Sequence, residues 1–395
     1  MKILFSIIGL FLGSDSSRTQ LRIIEESTLG AVPASAFTNL RFTGESLKYN
    51  IENDKSEEIR SDRQITDVIQ MSANANGGFD GELSYNTFDM LLDAMMYSAW
   101  ATELTVTATD ISAATTDDSF NSVAAGFPAF LPGSWIEVRG FTGSVNNNGY
   151  FQVLSRTASK VTVNANLVDD AAGESVTIKT TTVRNEVTRT SFSLEKEFSD
   201  KAEFRVYKGM VVNGVNLDFE AGKKIPCGFT FMGVGFSAAQ ATAGTGAHVA
   251  APTTEILNAA NQVGNIYEGG TLVSGINIQK IGMSINNNLR NINAIGSLGP
   301  VDMGAGRFSL EGSFTAYLED DALIDKFTGD TASSLAWKVE DAAGNAYIFN
   351  IPNLKFIDVN EQVKGADQDV LVECQFQAIR HVAYDMTFEI NKFAA

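Results

Sequence analysis

The chain has 395 residues, 44% apolar and 19% charged, a composition that excludes a disordered polymer and leaves room for two or three folded units. Forty-seven acidic against 29 basic residues give a net charge of −18, and no Lys/Arg cluster stands out, which argues against a protein that grips nucleic acid by its phosphates. Twenty-six Phe, 34 Gly and seven Pro predict a mainly β fold with many turns and a few helices.

In chain order, "MKILFSIIGLFLG" puts one lysine before about ten apolar residues, the layout of a secretory leader. A membrane span needs roughly 20 residues, so this segment is too short to cross. An export signal, an apolar arm that packs on a neighbour and an upstream start codon all fit residues 1–17. Further on, "LRFTGESLKYNIEN" (40–53) reads as a strand and residues 54–78 as a long polar connection. Phe79, Gly81, Leu83 and Tyr85 then alternate with Asp80, Glu82, Ser84 and Asn86, the period of a strand with one wet face. Phe88, Leu91, Leu92, Met95 and Ala99 recur at helical spacing, with Asn86 or Thr87 as N-cap.

From residue 101 to 182 the sequence turns Thr-, Val-, Asn- and Gly-rich. "SWIEVRGF", "GYFQVLSRT", "KVTVNA" and "ESVTIKTT" predict four or five short strands, a small all-β domain inserted into its parent. The parent resumes over 183–238, so the first domain comprises 18–100 and 183–238. An Ala/Gly/Thr-rich stretch at 239–265 reads as a linker with room for one short helix. Residues 266–395 then repeat the first domain. An offset of 231 places Asp80, Gly81, Glu82 and Leu83 on Glu311, Gly312, Ser313 and Phe314, and one of 147 places Cys227 on Cys374. The chain is therefore expected to be an internal duplication with an insertion in its first copy only.

Little chemistry is written into these segments. Two cysteines in strand-like runs, Cys227 and Cys374, read as buried inert thiols. His248 in the linker and His381 have no sequence partner among nucleophiles or metal ligands. The runs "GTGAHVAAP" and "DMGAGR" lack the Lys-Ser/Thr that a phosphate loop needs. Asp117-Asp118, Asp169-Asp170 and Glu319-Asp320-Asp321 lack the spacing of a calcium loop, and the third cluster is expected to open a helix. Trp100, Trp135 and Trp337 read as core. No catalytic, cofactor-binding or metal-ligating residue is assigned, and no cofactor or enzymatic activity is expected.

The segments "RTQLRIIEESTLGAVPAS", "LRFTGESLKYNIENDKSEEIRSDRQITD" and "GGFDGELSYNTFDMLLDAMM", then "GRFSLEGSFTAYLEDDALIDKF" and "IPNLKF", resemble the tail tube (major tail) proteins of bacteriophages with long non-contractile, siphovirus-type tails. The resemblance implies two tail-tube β-sandwich domains, each flanked by a helix, whose hairpins join those of neighbours into a barrel around a channel. It implies self-association into stacked rings, with 52–76 and 286–305 contacting the adjacent ring, and an acidic lumen through which the genome passes without binding. Family rings carry six tube domains, so a two-domain chain is expected to form trimeric rings with pseudo-sixfold symmetry, six complete chains being the alternative. Tape measure, tail terminator and distal tail proteins are the implied partners, with no membrane. The implied location is the virion tail, after assembly in the host cytoplasm, and the inserted domain is expected to decorate the outside of the tube. A secreted adhesin or surface-layer-type protein is the alternative function, taking the leader at face value.

Overall fold

The computed structural model describes residues 13–272, 277–318, 321–363, 365–367 and 369–395. The apolar leader up to residue 12 and the acidic pair Glu319 and Asp320 lie outside the described residues. Among the described residues strands dominate, and two short α-helices, Asp89–Met95 and Ala322–Thr328, each follow a strand of the same layer.

Two sets of four antiparallel strands join edge to edge into one eight-stranded wall. The first set runs Lys48–Lys55, Val68–Glu82, Pro226–Gly233 and the second part of Glu203–Glu220. The second set runs Ile278–Asn286, Ser309–Tyr317, Leu371–Ala378 and the second part of Ala346–Gln362. Between the sets Val215 faces Ile285 and Asn216 faces Ser284, so the last wall strand of the first half is bonded to the first wall strand of the second.

Behind each set lies a second layer. The early part of Glu203–Glu220 pairs with Ser191–Phe198 and Gly235–Ala239, and Thr19–Glu26 extends that sheet. In the second half the early part of Ala346–Gln362 pairs with Ser333–Glu340 and Glu389–Phe393, and Val263–Glu268 extends it. Each long strand thus serves both layers and bends between them. Bulges let it do so: the register shifts between Val212 and Gly214 in one strand and between Phe356 and Asp358 in the other. Gly209, at φ 61°, sits at a further shift, where the left-handed backbone suits a residue without a Cβ.

The two halves agree to the register, although the offsets read from sequence do not hold. Glu82 faces Pro226 as Tyr317 faces Leu371, Val212 faces Phe231 as Phe356 faces Phe376, and Asn50 faces Asn74 as Asn286 faces Ser309. These pairings place Phe229, not Cys227, on Cys374, and Gly81 on Ala316 rather than Gly312. Each sequence offset was wrong by an even number of residues. An even slip keeps every side chain on its face of a pleated strand, so alternation alone could not expose the error.

Other expectations are corrected locally. The connection predicted over 54–78 is strand again from Val68, and only its middle is loop. The first helix is capped by Phe88 without a side-chain bond; Asn86 takes a left-handed φ of 62° and the Thr87 hydroxyl is engaged by Ser84. Ala99 lies beyond the helix end. Residues 239–262 contain no helix and run along the first half, where Thr38 bridges Val249 and Ser84 bridges Ile256.

The insertion forms seven strands rather than four or five, because Leu104–Ala108, Ile111–Ala114 and Ser119–Ser122 join those predicted. They enclose a separate core around Phe120, Phe141, Phe151, Val153 and Ile178. Elsewhere one apolar cluster runs through both halves, with Phe219 of the first set against Trp337 at 5.4 Å and Phe349 at 5.3 Å.

Candidate channel wall

The wall has two unlike faces because its strands alternate. One face carries Phe79, Cys227, Phe229, Leu217, Met283, Phe314, Cys374 and Phe376, all buried against the second layer and the helices. Burial of each large side chain contributes about 1.5–3 kcal/mol, so this face fixes which side of the sheet can meet water. The other face is polar across all eight strands. The carboxylates of Glu52, Asp80, Glu82, Asp218, Glu220, Glu311, Asp358 and Glu373 outnumber the ammonium groups of Lys48, Lys280 and Lys355 there. Lys280 reaches Asp218 at 3.2 Å across the junction of the halves, and Lys355 is drawn to Asp330 at 2.6 Å. Asn, Ser, Thr and Gln fill much of the remainder, and its shallow groove is lined by Asn216, Ser284, Ser313 and Gln375. Such a surface offers short polar groups and net negative charge, and among the described residues only the single ring of Tyr317, at the end of its strand, alternates onto it, too little for a platform on which bases could stack.

The wall ends in two open edges. Among the described residues no strand pairs with the outer side of Lys48–Lys55, nor with the outer side of Ala346–Gln362 beyond Leu354. Beyond the first edge the hairpin of Lys48–Lys55 and Val68–Glu82 carries exposed Ile59, Ile65, Val68, Ile69 and Met71. A row of unpaired backbone donors and acceptors flanked by bare apolar side chains is a template for another chain.

The residues singled out from sequence are structural groups here. Burial pushes the Cys227 thiol well above its usual range and that of Cys374 to about 12, so both stay protonated. His248 is half-buried, its Nδ1 accepting from the Phe37 amide at 3.3 Å and its ring edge-on to that of Phe37. His381 stacks on Tyr384 at 4.1 Å, and burial lowers its pKa. In the insertion, Asp118 accepts from the Leu167 amide at 2.9 Å, Asp169 from Thr115 at 2.7 Å and Asp170 from Ser144 at 2.7 Å, while Asp117 pairs with Lys160. Asp321 is the N-cap residue of the second helix, without a side-chain bond. Trp135 and Trp337 are core, whereas Trp100 is half-buried and donates its Nε1–H to the Asp89 carbonyl at 2.9 Å.

Residues 16–378 match the family described as phage tail tube protein. The chain belongs to that family. A search of curated proteins finds no match. Membership makes this a structural protein of the phage tail that assembles into a tube with other tail proteins, and a mainly β fold with few helices is what the chain shows. Among the described residues no helix is long and apolar enough to cross a membrane. The alternation from Phe79 to Glu82 is visible in the sequence, whereas at the far edge the bulge between Phe356 and Asp358 interrupts the alternation of "FIDVNEQ".

Proposed function

We propose that the chain builds the tube of a long, non-contractile phage tail as stacked rings of three copies, each copy contributing two tube domains to a pseudo-sixfold barrel. The observation that carries this reading is the eight-stranded wall, which repeats one four-strand plan, buries one face, leaves the other acidic and ends in two free edges. Closing a sheet into a barrel is the physical remedy for free edges, and the polar face is then the lumen. Net negative charge within a Debye length of about 8–10 Å repels DNA phosphates, so the genome passes without being held.

The first domain comprises 18–100 and 183–238, the insertion 101–182, the linker 239–265 and the second domain 266–395. The hairpin tip near Ile59 bridges successive rings, whereas its counterpart in 286–305, expected to do the same, folds back on the first half, where the Leu298 carbonyl accepts from the Ala73 amide. The insertion lies outside the tube, tape measure protein fills the lumen before ejection, and terminator and distal tail proteins close the ends. Assembly takes place in the host cytoplasm, and the protein performs no catalysis.

Negative-stain microscopy of the purified full chain tests this. Hollow tubes with three chains per ring are expected; six complete chains per ring would overturn the trimer. Absence of tubes together with cleavage of residues 1–17 would favour a surface adhesin.

A further inference from the structure

The junction between the two halves is a solved example of how one wall set meets the next, and the open edges are the same two strands one step further on. Four registers and two bulges place the sets in correspondence. Met210 and Tyr207 face Phe192 and Leu194 as Leu354 and Ile351 face Ser333 and Leu335, which confirms the alignment of the long strands independently of the wall. In that correspondence Gly214, Val215 and Asn216 are matched by Asp358, Val359 and Asn360. Ser284, Ile285 and Asn286 are matched by Lys48, Tyr49 and Asn50. The internal pairs Gly214 with Asn286, Val215 with Ile285 and Asn216 with Ser284 can therefore be carried over residue by residue.

We propose that residues 48–51 of one copy pair antiparallel with residues 357–360 of a second copy, Asn50 opposite Asp358, Tyr49 opposite Val359 and Lys48 opposite Asn360. This rests on the ring reading above and adds the register, which that reading leaves open. The side chains fit it. Tyr49 and Val359 are both half-buried against the core from one side only, where the internal junction has fully buried Ile285 and Val215. Ile51 and Ile357 are 37% and 54% exposed on opposite edges and come together in this register. Their internal counterparts, Asn287 and Asn213, meet through an amide-to-carbonyl bond of 2.7 Å. On the polar face Lys48 comes diagonal to Asp358, an opposite-charge pair within cross-strand reach. A one-residue slip would turn Tyr49 and Ile51 to the polar face, so the register is strongly specified. Within one copy the two edges are separated by six intervening strands at about 4.8 Å spacing, so a link between them reports contact between copies.

The test uses full-length chains with paired cysteines. Asn50→Cys with Asp358→Cys places the Cα atoms about 4.5–5.5 Å apart, within disulfide range. Asn50→Cys with Asn360→Cys is a diagonal of about 7–8 Å, beyond it. Mild oxidation of assembled tubes should give covalent dimers and trimers on non-reducing gels with the first pair and none with the second. Tubes in which only the second pair links would overturn the register and leave the ring reading standing; wild-type chains that form no rings would overturn both. Should the cysteine variants fail to assemble, carbodiimide treatment of wild-type tubes should join Lys48 to Asp358 by mass spectrometry. Links from Lys48 to other carboxylates alone would overturn the register.

Discussion

The two halves share one strand plan but treat the connection between their first two wall strands differently. In the second half residues 287–308 fold back as a small hairpin, Arg290–Ile292 with Asp302–Gly304, and the Leu298 carbonyl accepts from the Ala73 amide of the first half at 2.8 Å. In the first half the corresponding hairpin projects, and Ile59 at its tip is fully exposed. The second connection finds its neighbour within its own chain. The tip of the first has none among the described residues, so its apolar residues are left bare. The insertion marks a second contrast. It follows the helix of the first half, yet it docks on the second half: Val176–Arg184 pairs with Glu389–Phe393, Trp135 packs on Tyr267 at 4.7 Å, and Asn350 donates to the Gly133 carbonyl at 3.0 Å.

The sharpest way to break the likeness of the halves is in the core they share. Phe231→Ala and Phe376→Ala remove matched, fully buried rings, and each should cost about 3–5 kcal/mol. Denaturant unfolding followed by fluorescence and circular dichroism should show both lowering a single transition; two separate transitions would mean the cluster is not one cooperative unit. Glu389→Gln probes the docking of the insertion, since Glu389 is buried, accepts from Ser134 at 2.8 Å and pairs with Arg184 at 2.5 Å. A loss of about 1–3 kcal/mol is expected, with faster proteolysis within 101–182; unchanged protection would show that strand pairing alone holds the insertion.

Asp93, on the first helix, sharpens the contrast by pH. Burial raises its pKa to about 7, with smaller contributions from Asp89 and Glu25. A carboxyl with a raised folded-state pKa favours the fold fully below its ordinary pKa near 4, and that contribution is lost as pH rises through about 7. Asp93→Asn should flatten this fall between pH 4 and 7, and thermal melts across that range that stay parallel to wild type would refute it. The smallest effect on the isolated chain is expected at the tip: Ile59→Ser with Ile65→Ser should move stability by less than about 0.5 kcal/mol. Tube length by microscopy should nevertheless collapse, and normal tubes would remove the hairpin from ring stacking.

Much of this architecture was legible because it rests on alternation. Phe79 to Glu82 announced both a strand and its wet face, although the strand ends at Glu82 and Ser84, expected on the wet face, is buried; the helical spacing of Leu91, Leu92 and Met95 announced what covers the dry one. Residues 68–78 were not legible, since "SANANGG" is small and polar and the apolar Val68, Ile69 and Met71 before it are exposed; their strand state is imposed by pairing with Lys48–Lys55 and, from Ala75, with Pro226–Gly233. The repeat was visible as an order of elements but not as a register, for which the bulges had to be seen. The acidity of the wall was visible only as a total, because the residues that share the face come from strands far apart in the chain. The docking of the insertion depends on Trp135, Asn350 and Glu389, whose local sequence gives no sign of long-range partners.

The long strands Glu203–Glu220 and Ala346–Gln362 each pass from the second layer into the wall without a break in the backbone. A tube under axial load would shear apart most readily where two sheets merely slide on side-chain contacts. Here the same polypeptide crosses from one layer to the other, so strain in the wall is transmitted along covalent bonds into the second layer. The bulges interrupt the regular ladder along that path, which makes them hinges in an otherwise stiff girder.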